Sequence, residues 1–153
     1  GTLYRNFQGY STHRDCDLIG IGVTSIGVVG NTYSQNLKTT EEYYASIDGG
    51  DLPVFRGVEL DADDILRRDV ITELICNFRL KFSDIEQRND IVFRDYFATE
   101  LEELKVMVED GLVTMDEESV TVATAGRLLI RNVCMVFDRY LREKSEQRFS
   151  KVI

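Results

Sequence analysis

The second half of the chain carries apolar residues with helical spacing. In DDILRRDVITELICNF they recur at steps of three and four, which gives a helix one continuous apolar face. Asp61, Asp63 and Asp64 stand at its start, where a helix N-terminus favours negative charge. The pattern therefore predicts an amphipathic helix. Its apolar face consists of Leu66, Val70, Ile71, Leu74, Ile75 and Phe78.

Three charged residues lie off this face or at its edge, namely Arg67, Arg68 and Asp69. One interpretation is a solvated or ion-paired rim, because charged side chains at the edge of a helix face usually meet water or each other. The alternative is that they dock a neighbouring domain. The sequence leaves both interpretations open.

Further elements follow this helix. Ser83 with Glu86 has the spacing of a capping box and predicts a short helix, and DYFATELEELKVMVEDG predicts a longer one that ends at Gly111. LVTM and SVTVA alternate around DEES, which predicts a hairpin. Thr124 is predicted to cap a long last helix. Its apolar stripe is Leu129, Ile130, Val133, Cys134, Phe137 and Leu141. This order of elements predicts a mostly helical, winged-helix-like domain with a small antiparallel hairpin.

The first part of the chain is predicted to be mainly extended. YRNFQGYST and the buried-looking, branched run LIGIGVTSIGVV flank a polar turn. Thr39 with Glu42 has capping-box spacing and predicts a short helix that stops at Gly49 and Gly50. LPVFRGVEL is predicted to be an extended connector, after which the composition becomes more charged and more helical. We therefore expect two domains, residues 1–57 and 58–153.

Four glycines interrupt the run GIGVTSIGVVG. A dinucleotide fingerprint requires a third glycine where this chain has Ser25, and a Walker loop requires a Gly-Lys-Ser/Thr ending that occurs nowhere in the chain. Glycine in a strand marks a place where a ligand or another backbone comes close. The run is therefore interpreted as a binding surface without a phosphate loop.

Charge excludes several classes of partner. The 153 residues include 27 acidic and 18 basic side chains, a formal net charge of -9, which repels phosphate backbones and anionic lipid. The segment from Asp84 to Glu118 is acidic and has no basic face for DNA. No nucleic acid or membrane partner is expected, and the chain is interpreted as cytoplasmic because it shows neither a spanning run nor a leader pattern.

The residues that could carry metal or nucleophilic chemistry are scattered. Cys16, Cys76 and Cys134 are about sixty residues apart, which excludes a compact cysteine motif within the chain. Cys76 and Cys134 are predicted to be buried thiols, and the only histidine, His13, a surface residue. From spacing alone, no metal ligands and no catalytic residues are expected.

Several segments nevertheless look familiar. Together they resemble the C-terminal third of the bacterial oxygen-independent coproporphyrinogen III oxidase family, which consists of radical S-adenosyl-L-methionine enzymes. The resemblance covers essentially the whole chain without obvious gaps. It is carried by RNFQGYST, DLIGIGVTSIG, RRDVITELICNFRL, EDGLV, GRLLIRNVCMVFDRYL and FSKVI.

The resemblance implies a fold and a reaction. It implies an α/β fragment in which residues 1–57 are the last strands of a partial TIM-like barrel, followed by a helical accessory domain. In this family a [4Fe-4S] cluster reduces S-adenosyl-L-methionine, and the resulting radical starts the conversion of two propionates of coproporphyrinogen III to vinyl groups, giving protoporphyrinogen IX. The cluster cysteines are absent from this chain, so it is expected to be inactive without the N-terminal part of the same protein.

The resemblance also implies site residues. Phe7, Gln8 and Ile26 match positions that line the cavity for S-adenosyl-L-methionine and substrate. Phe7 and Ile26 could exclude water from a radical, and the Gln8 amide can both donate and accept hydrogen bonds. Considered without the family, Phe7 and Ile26 would be ordinary core residues.

Two other functions remain possible at this point. A haem-binding chaperone of the same family would share the barrel, although RRDVITELICNFRL and the ending FSKVI are closer to the oxidases. An acidic, winged-helix-like interaction module would instead require residues 58–153 to fold alone.

Overall fold

Small antiparallel sheets form the first part of the molecule. The computed structural model describes residues 3–7, 9–13 and 16–142. A two-stranded hairpin is followed by a three-stranded sheet of order β3-β4-β5, with one helix between β4 and β5. The elements are β1 (Tyr4–Asn6), β2 (Gly9–Ser11), β3 (Ile26–Val29), β4 (Thr32–Asn36), α1 (Thr40–Asp48) and β5 (Val54–Glu59).

Both predicted extended segments differ from the structure. YRNFQGYST is a hairpin, with Asn6 opposite Gly9. LIGIGVTSIGVV is a strand only from Ile26, and Ile19 and Ile21 are 76% and 84% exposed, so the prediction of one buried strand was wrong. The middle of this run is a loop instead of a strand. The side-chain amide of Asn36 holds the loop by donating to the carbonyls of residues 20 and 22, at 3.0 Å each.

The glycines of this run allow backbones to approach one another. A Cβ on Gly27 would lie 3.0 Å from the carbonyl oxygen of Leu18, and one on Gly20 would lie 2.9 Å from the backbone of Ile26. A side chain at Gly20 would therefore force the backbone to shift, and one at Gly27 would need its neighbours to give by a few tenths of an ångström. The close approach that the sequence indicated is therefore made by the chain's own backbone.

Two helix starts agree with their sequence signals. The Thr39 hydroxyl accepts from the Glu42 amide, and α1 ends at Asp48, before the glycine pair. Asp61 and Asp64 form a reciprocal capping box at the start of α2 (Ala62–Asn77). Gly57, where the domain change was expected, lies inside β5 opposite Ser34, so strand pairing continues to Glu59.

Short helices surround a second sheet in the remainder of the chain. This sheet has the order β6-β8-β7 and is antiparallel, and β7 and β8 form the predicted hairpin. The elements after α2 are β6 (Arg79–Lys81), α3 (Phe82–Glu86), α4 (Phe93–Tyr96), α5 (Ala98–Glu109), β7 (Val113–Met115), β8 (Ser119–Val122), a 3-10 helix (Ala125–Leu129) and α6 (Ile130–Met135). Residues 139–142 are also helical.

The core lies between α2, this sheet and the short helices. The predicted face of α2 is confirmed: Leu66, Val70 and Leu74 are buried, and the other three residues of the face pack against the core. Four aromatic rings continue the core in a row, with ring centroids 4.4 to 5.6 Å apart. They belong to Phe82, Phe93, Phe97 and Phe137.

Three predicted helices begin or continue differently. Ser83 lies inside α3 and does not cap it, and the Glu86 carboxylate accepts instead from the Phe93 amide at 2.7 Å. The long helix over DYFATELEELKVMVEDG is interrupted at Phe97. The long last helix was also wrong, because the chain forms a 3-10 turn and then short helical segments, and Thr124 makes no side-chain cap bond.

In the part of the chain that the structure describes, no helix is both long and apolar enough to cross a membrane. The tail from residue 143 onward, including FSKVI, lies outside the described residues.

Candidate functional site

A cleft of about 630 Å³ is lined by residues of the first strands and of the helical part. Tyr4 and Phe7 line it from the β1–β2 hairpin, Ile71 and Ile75 from α2, and Tyr140 from the helical segment 139–142. Five arginines also line it, and we call it the arginine cleft. They are Arg5, Arg67, Arg68, Arg131 and Arg139. The cleft therefore combines an apolar wall with guanidinium groups, which suits an organic anion.

A second cleft, of about 500 Å³, lies on the three-stranded sheet, and we call it the sheet cleft. Phe7 and Ile26 both line it, together with Tyr33 and Gln35 of β4. Phe7 is 57% exposed, and its ring meets the Tyr33 ring edge-on, with centroids 5.5 Å apart. The structure thus brings two of the three expected site residues to one cleft, while Gln8 lies outside the described residues.

The two clefts adjoin. Phe7, Tyr33 and Tyr140 line both of them. The Tyr140 hydroxyl donates to the Asp64 carboxylate at 3.0 Å, so this ring is held between the clefts by the start of α2. A ligand in one cleft would therefore contact side chains that also line the second cleft.

An ionic cluster holds the segment 139–142 to the start of α2. Nη2 of Arg139 lies 2.8 Å from an oxygen of Asp61 and 3.1 Å from one of Asp64, and Nη1 lies 3.1 Å from Asp63. The hydrogen bonds that Arg139 donates to Asp61 and to the Tyr140 hydroxyl, together with the charge of Asp64, raise the pKa of Arg139 above its usual range. We call this arginine and the three aspartates the α2 clamp. The clamp fixes one end of the arginine cleft.

The clamp continues into the core through Arg67. Its Nε donates to Asp63 at 2.9 Å, and its Nη1 donates to Glu100 at 2.8 Å and to the carbonyl of Phe137 at 3.2 Å. Glu100 is only 2% exposed, and Nη1 of Arg142 lies 3.3 Å from the same carboxylate oxygen. For Arg67, the prediction of an ion-paired rim is confirmed.

The charges of the clamp shift two neighbouring pKa values. Burial opposes ionisation of Asp63, but hydrogen bonds from Tyr96 and Arg67 outweigh it, so the pKa of Asp63 lies below the usual aspartate value. The same hydrogen bond from Tyr96, 2.7 Å long, raises the pKa of that phenol. These shifts favour the ionised form of Asp63 and the protonated form of Tyr96, which are the forms that make the hydrogen bond between them.

The cysteines do not form a site. Cys16 is exposed, whereas Cys76 and Cys134 are buried, as predicted. Burial raises the pKa of the Cys134 thiol to about 12, so it stays protonated at neutral pH. His13 is exposed, also as predicted. Within residues 3–7, 9–13 and 16–142, no three histidine, cysteine or acidic side chains gather as a metal site would require, so these residues do not fit an iron–sulfur cluster.

Known proteins resemble this chain closely. Residues 60–129 match the family model described as HemN C-terminal domain. An oxygen-independent coproporphyrinogen III oxidase of Escherichia coli is 51% identical over an alignment that covers 100% of this chain and 34% of the relative. The whole chain is similar to a part of this oxidase. The enzyme of the same name from Pseudomonas aeruginosa is 48% identical, with 100% of this chain and 33% of the relative covered.

The fold of this chain also matches that of a solved protein structure. It is described as coproporphyrinogen III oxidase (HemN) from Escherichia coli, a radical SAM enzyme. Its TM-score is 0.87 at 51% sequence identity, over 91% of this chain and 32% of that one. The chain thus spans about a third of the length of the oxidases that it matches.

Sequence reasoning did not identify several residues that line the clefts. Tyr33 lies in the polar stretch TYSQN, which shows no motif, and Tyr140 lies beside the apolar stripe of the predicted last helix without belonging to it. Arg68 was noted only as a member of the α2 rim, and Arg131 was not noted at all. These residues are far apart in the sequence and form no local pattern. They come to one cleft only because β1 and α6 pack against α2.

Proposed function

We propose that this chain is the C-terminal part of an oxygen-independent coproporphyrinogen III oxidase. The complete enzyme would convert two propionates of coproporphyrinogen III to vinyl groups with loss of carbon dioxide, giving protoporphyrinogen IX for haem biosynthesis. The observation that carries this proposal is 51% identity along the entire chain to an enzyme of that name, together with the match to its solved structure. The haem-binding chaperone is not favoured, because the relatives reported above are named oxidases.

We also propose a division of the chain into two units. Residues 1–57 would be the end of the catalytic domain, and residues 58–153 a winged-helix-like accessory domain. The family match beginning at residue 60 supports this division, as does the separate core of the second unit. All strand pairings among the described residues are antiparallel, so the proposed barrel strands would need partners from the rest of the protein. The exposed residues of β5, including Val54, Phe55 and Val58, support such a partner.

The cofactor residues of the proposal are Phe7, Gln8 and Ile26. The position of Phe7 and Ile26 in one cleft supports a role in holding S-adenosyl-L-methionine, because an exposed aromatic ring beside an aliphatic wall can cover a nucleoside. When bound, that cofactor would supply the radical that removes hydrogen from the propionate. Phe7 and Ile26 would exclude water from the reacting atoms. The [4Fe-4S] cluster would be held elsewhere in the complete protein.

Coproporphyrinogen III as substrate and the N-terminal part of the same protein are the partners of this proposal. The net charge of -9 supports the absence of nucleic acid and membrane partners. The cytoplasmic location inferred from the sequence stays a prediction.

The test is an assay of the complete protein that contains this chain. It is prepared without oxygen, supplied with S-adenosyl-L-methionine and a reductant, and the conversion of coproporphyrinogen III to protoporphyrinogen IX is measured. We expect turnover, and we expect Phe7→Ala to lower it by at least about tenfold, because a cofactor misplaced by about 1 Å can cost more than that. Tyr44→Ala removes a similarly exposed ring of α1 and should leave turnover unchanged.

Failure to form protoporphyrinogen IX would contradict the proposed function. Tight haem binding without turnover would then favour the chaperone. Equal turnover of the Phe7→Ala and Tyr44→Ala proteins would leave the function in place but would exclude Phe7 from the site.

A further inference from the structure

The arginine cleft concentrates positive charge in an acidic chain. Five arginines and two aspartates, Asp64 and Asp138, line it, whereas the formal net charge of the chain is -9. This surplus of guanidinium groups in one concave region raises the local concentration of anions. The cleft volume of about 630 Å³ lies within the range that holds small organic ligands.

The five arginines fall into two groups. Arg67 and Arg139 are neutralised by the carboxylates of the α2 clamp and by Glu100. In contrast, Arg68 and Arg131 have no ion-pair or hydrogen-bond partner among the residues that the structure describes. Among the described residues, Arg5 meets the phenol of Tyr10: its Nη1 donates to the hydroxyl at 3.5 Å, and its guanidinium carbon lies 5.2 Å from the centre of the ring. The charge that is left for a ligand therefore lies on Arg5, Arg68 and Arg131.

The surroundings of these groups favour a carboxylate on an apolar body. Ile71 and Ile75 of α2 line the same cleft, and the phenol of Tyr4 lines it from β1. An arginine over an apolar wall binds a carboxylate more tightly than one in open water, since less of the charge is screened. One buried donor in the same lining, Nε of Arg139, also has no acceptor in the described part of the chain.

We propose that Arg68 and Arg131 bind a propionate carboxylate of the tetrapyrrole substrate in the arginine cleft. This inference rests on the proposed function, which supplies a ligand with propionates on an apolar macrocycle. The contiguity of the cleft with the sheet cleft supports it, because Phe7, Tyr33 and Tyr140 line both. The two arginines would position the substrate and take no part in the bond changes.

The test measures binding instead of turnover. The complete protein that carries this chain is titrated, without reductant, into coproporphyrin III, the fluorescent oxidised macrocycle with the same propionates. We expect Arg68→Gln and Arg131→Gln each to weaken its affinity by about tenfold or more, as for loss of a hydrogen bond between charged groups. Arg94→Gln is the matched control, because Arg94 pairs with Glu117 on an exposed surface away from the cleft. Its affinity should be that of the unaltered protein.

Two further comparisons make the result specific. The methyl ester of coproporphyrin III, in the same detergent buffer, should bind weakly, and its affinity should not respond to Arg68→Gln. One outcome is that a Gln variant unfolds at a lower temperature than the Arg94→Gln control. In that case the porphyrin affinity of the Lys variant at the same position is compared with that of the Gln variant. Tighter binding by Lys than by Gln supports the inference, and equal binding overturns it.

Affinities of both Gln variants within twofold of the control would overturn the inference. That outcome together with normal turnover would leave the proposed function intact. Absence of turnover together with weakened porphyrin binding by the variants would contradict the function and retain the carboxylate site.

Discussion

Neutralising Glu100 should destabilise the helical part of the molecule by about 2–3 kcal/mol. Glu100 is 2% exposed, and its carboxylate is the acceptor for Arg67 at 2.8 Å and lies 3.3 Å from Arg142. A hydrogen bond to a charged group contributes about 1.5–3 kcal/mol, and removal of one partner from a buried ion pair costs about 3–5 kcal/mol. Glu100→Gln keeps the shape and one acceptor, and Arg67 retains Asp63, so the expected cost is about 2–3 kcal/mol, below that of breaking a buried ion pair completely.

The assay is unfolding of the chain, followed by circular dichroism in urea and on heating. For a chain of this size, each kcal/mol corresponds to about 2–4 °C, so Glu100→Gln should lower the Tm by about 4–12 °C. Glu102→Gln is the matched control two residues along α5, because Glu102 is 70% exposed and its ion-pair partner in the described part of the chain is the exposed Lys105. We expect that control to change the unfolding free energy by less than about 0.5 kcal/mol. Equal destabilisation by both substitutions would refute the reasoning.

Two more outcomes are expected. Because the pKa of Asp63 is depressed in the folded state, its contribution to stability is present above the aspartate pKa of about 4 and is lost as the pH falls through the folded value. The Tm should therefore fall below about pH 4, and less steeply in Asp63→Asn; an equally steep fall in that variant would contradict this assignment. Gly126→Ala should lower the Tm by several degrees, because the new Cβ would overlap the carbonyl of Leu112, whereas Thr124→Ala should leave it unchanged. Equal Tm values for these two variants would show that the backbone yields without cost.

Local signals predicted the elements whose stabilising contacts are also local. The start of α2 is an example, because Asp61 and Asp64 cap the helix within one turn of the chain. The hairpin of β7 and β8 is another, since alternation and a turn lie within about ten residues. The apolar face of α2 was also predicted correctly, because its period is a property of the helix itself.

Elements shaped by distant contacts were not predicted. The run from Leu18 to Val29 reads as a buried strand, but the Asn36 amide holds its middle as a loop, and that contact spans 16 residues. The last helix begins as a 3-10 segment where Gly126 passes against Leu112 of another segment. The arginine cleft is the extreme case, since Arg5 and Arg131 come to line one cleft only when β1 and α6 pack against α2. Family resemblance identified Phe7 and Ile26 as site residues, and whether they act as such stays a prediction.

The α2 clamp has a consequence for the order in which the molecule folds. Arg139 and Asp61 are 78 residues apart, so Asp61 and Asp64 repel one another until the chain up to Arg139 can fold back, whereas Asp63 already pairs with Arg67 one turn along the helix. Helix formation in α2 can begin locally with its capping box, but completion must await a contact of high sequence separation. Assembly of the helical part is therefore expected to be cooperative and late, with the docking of segment 139–142 onto the start of α2 as the closing step.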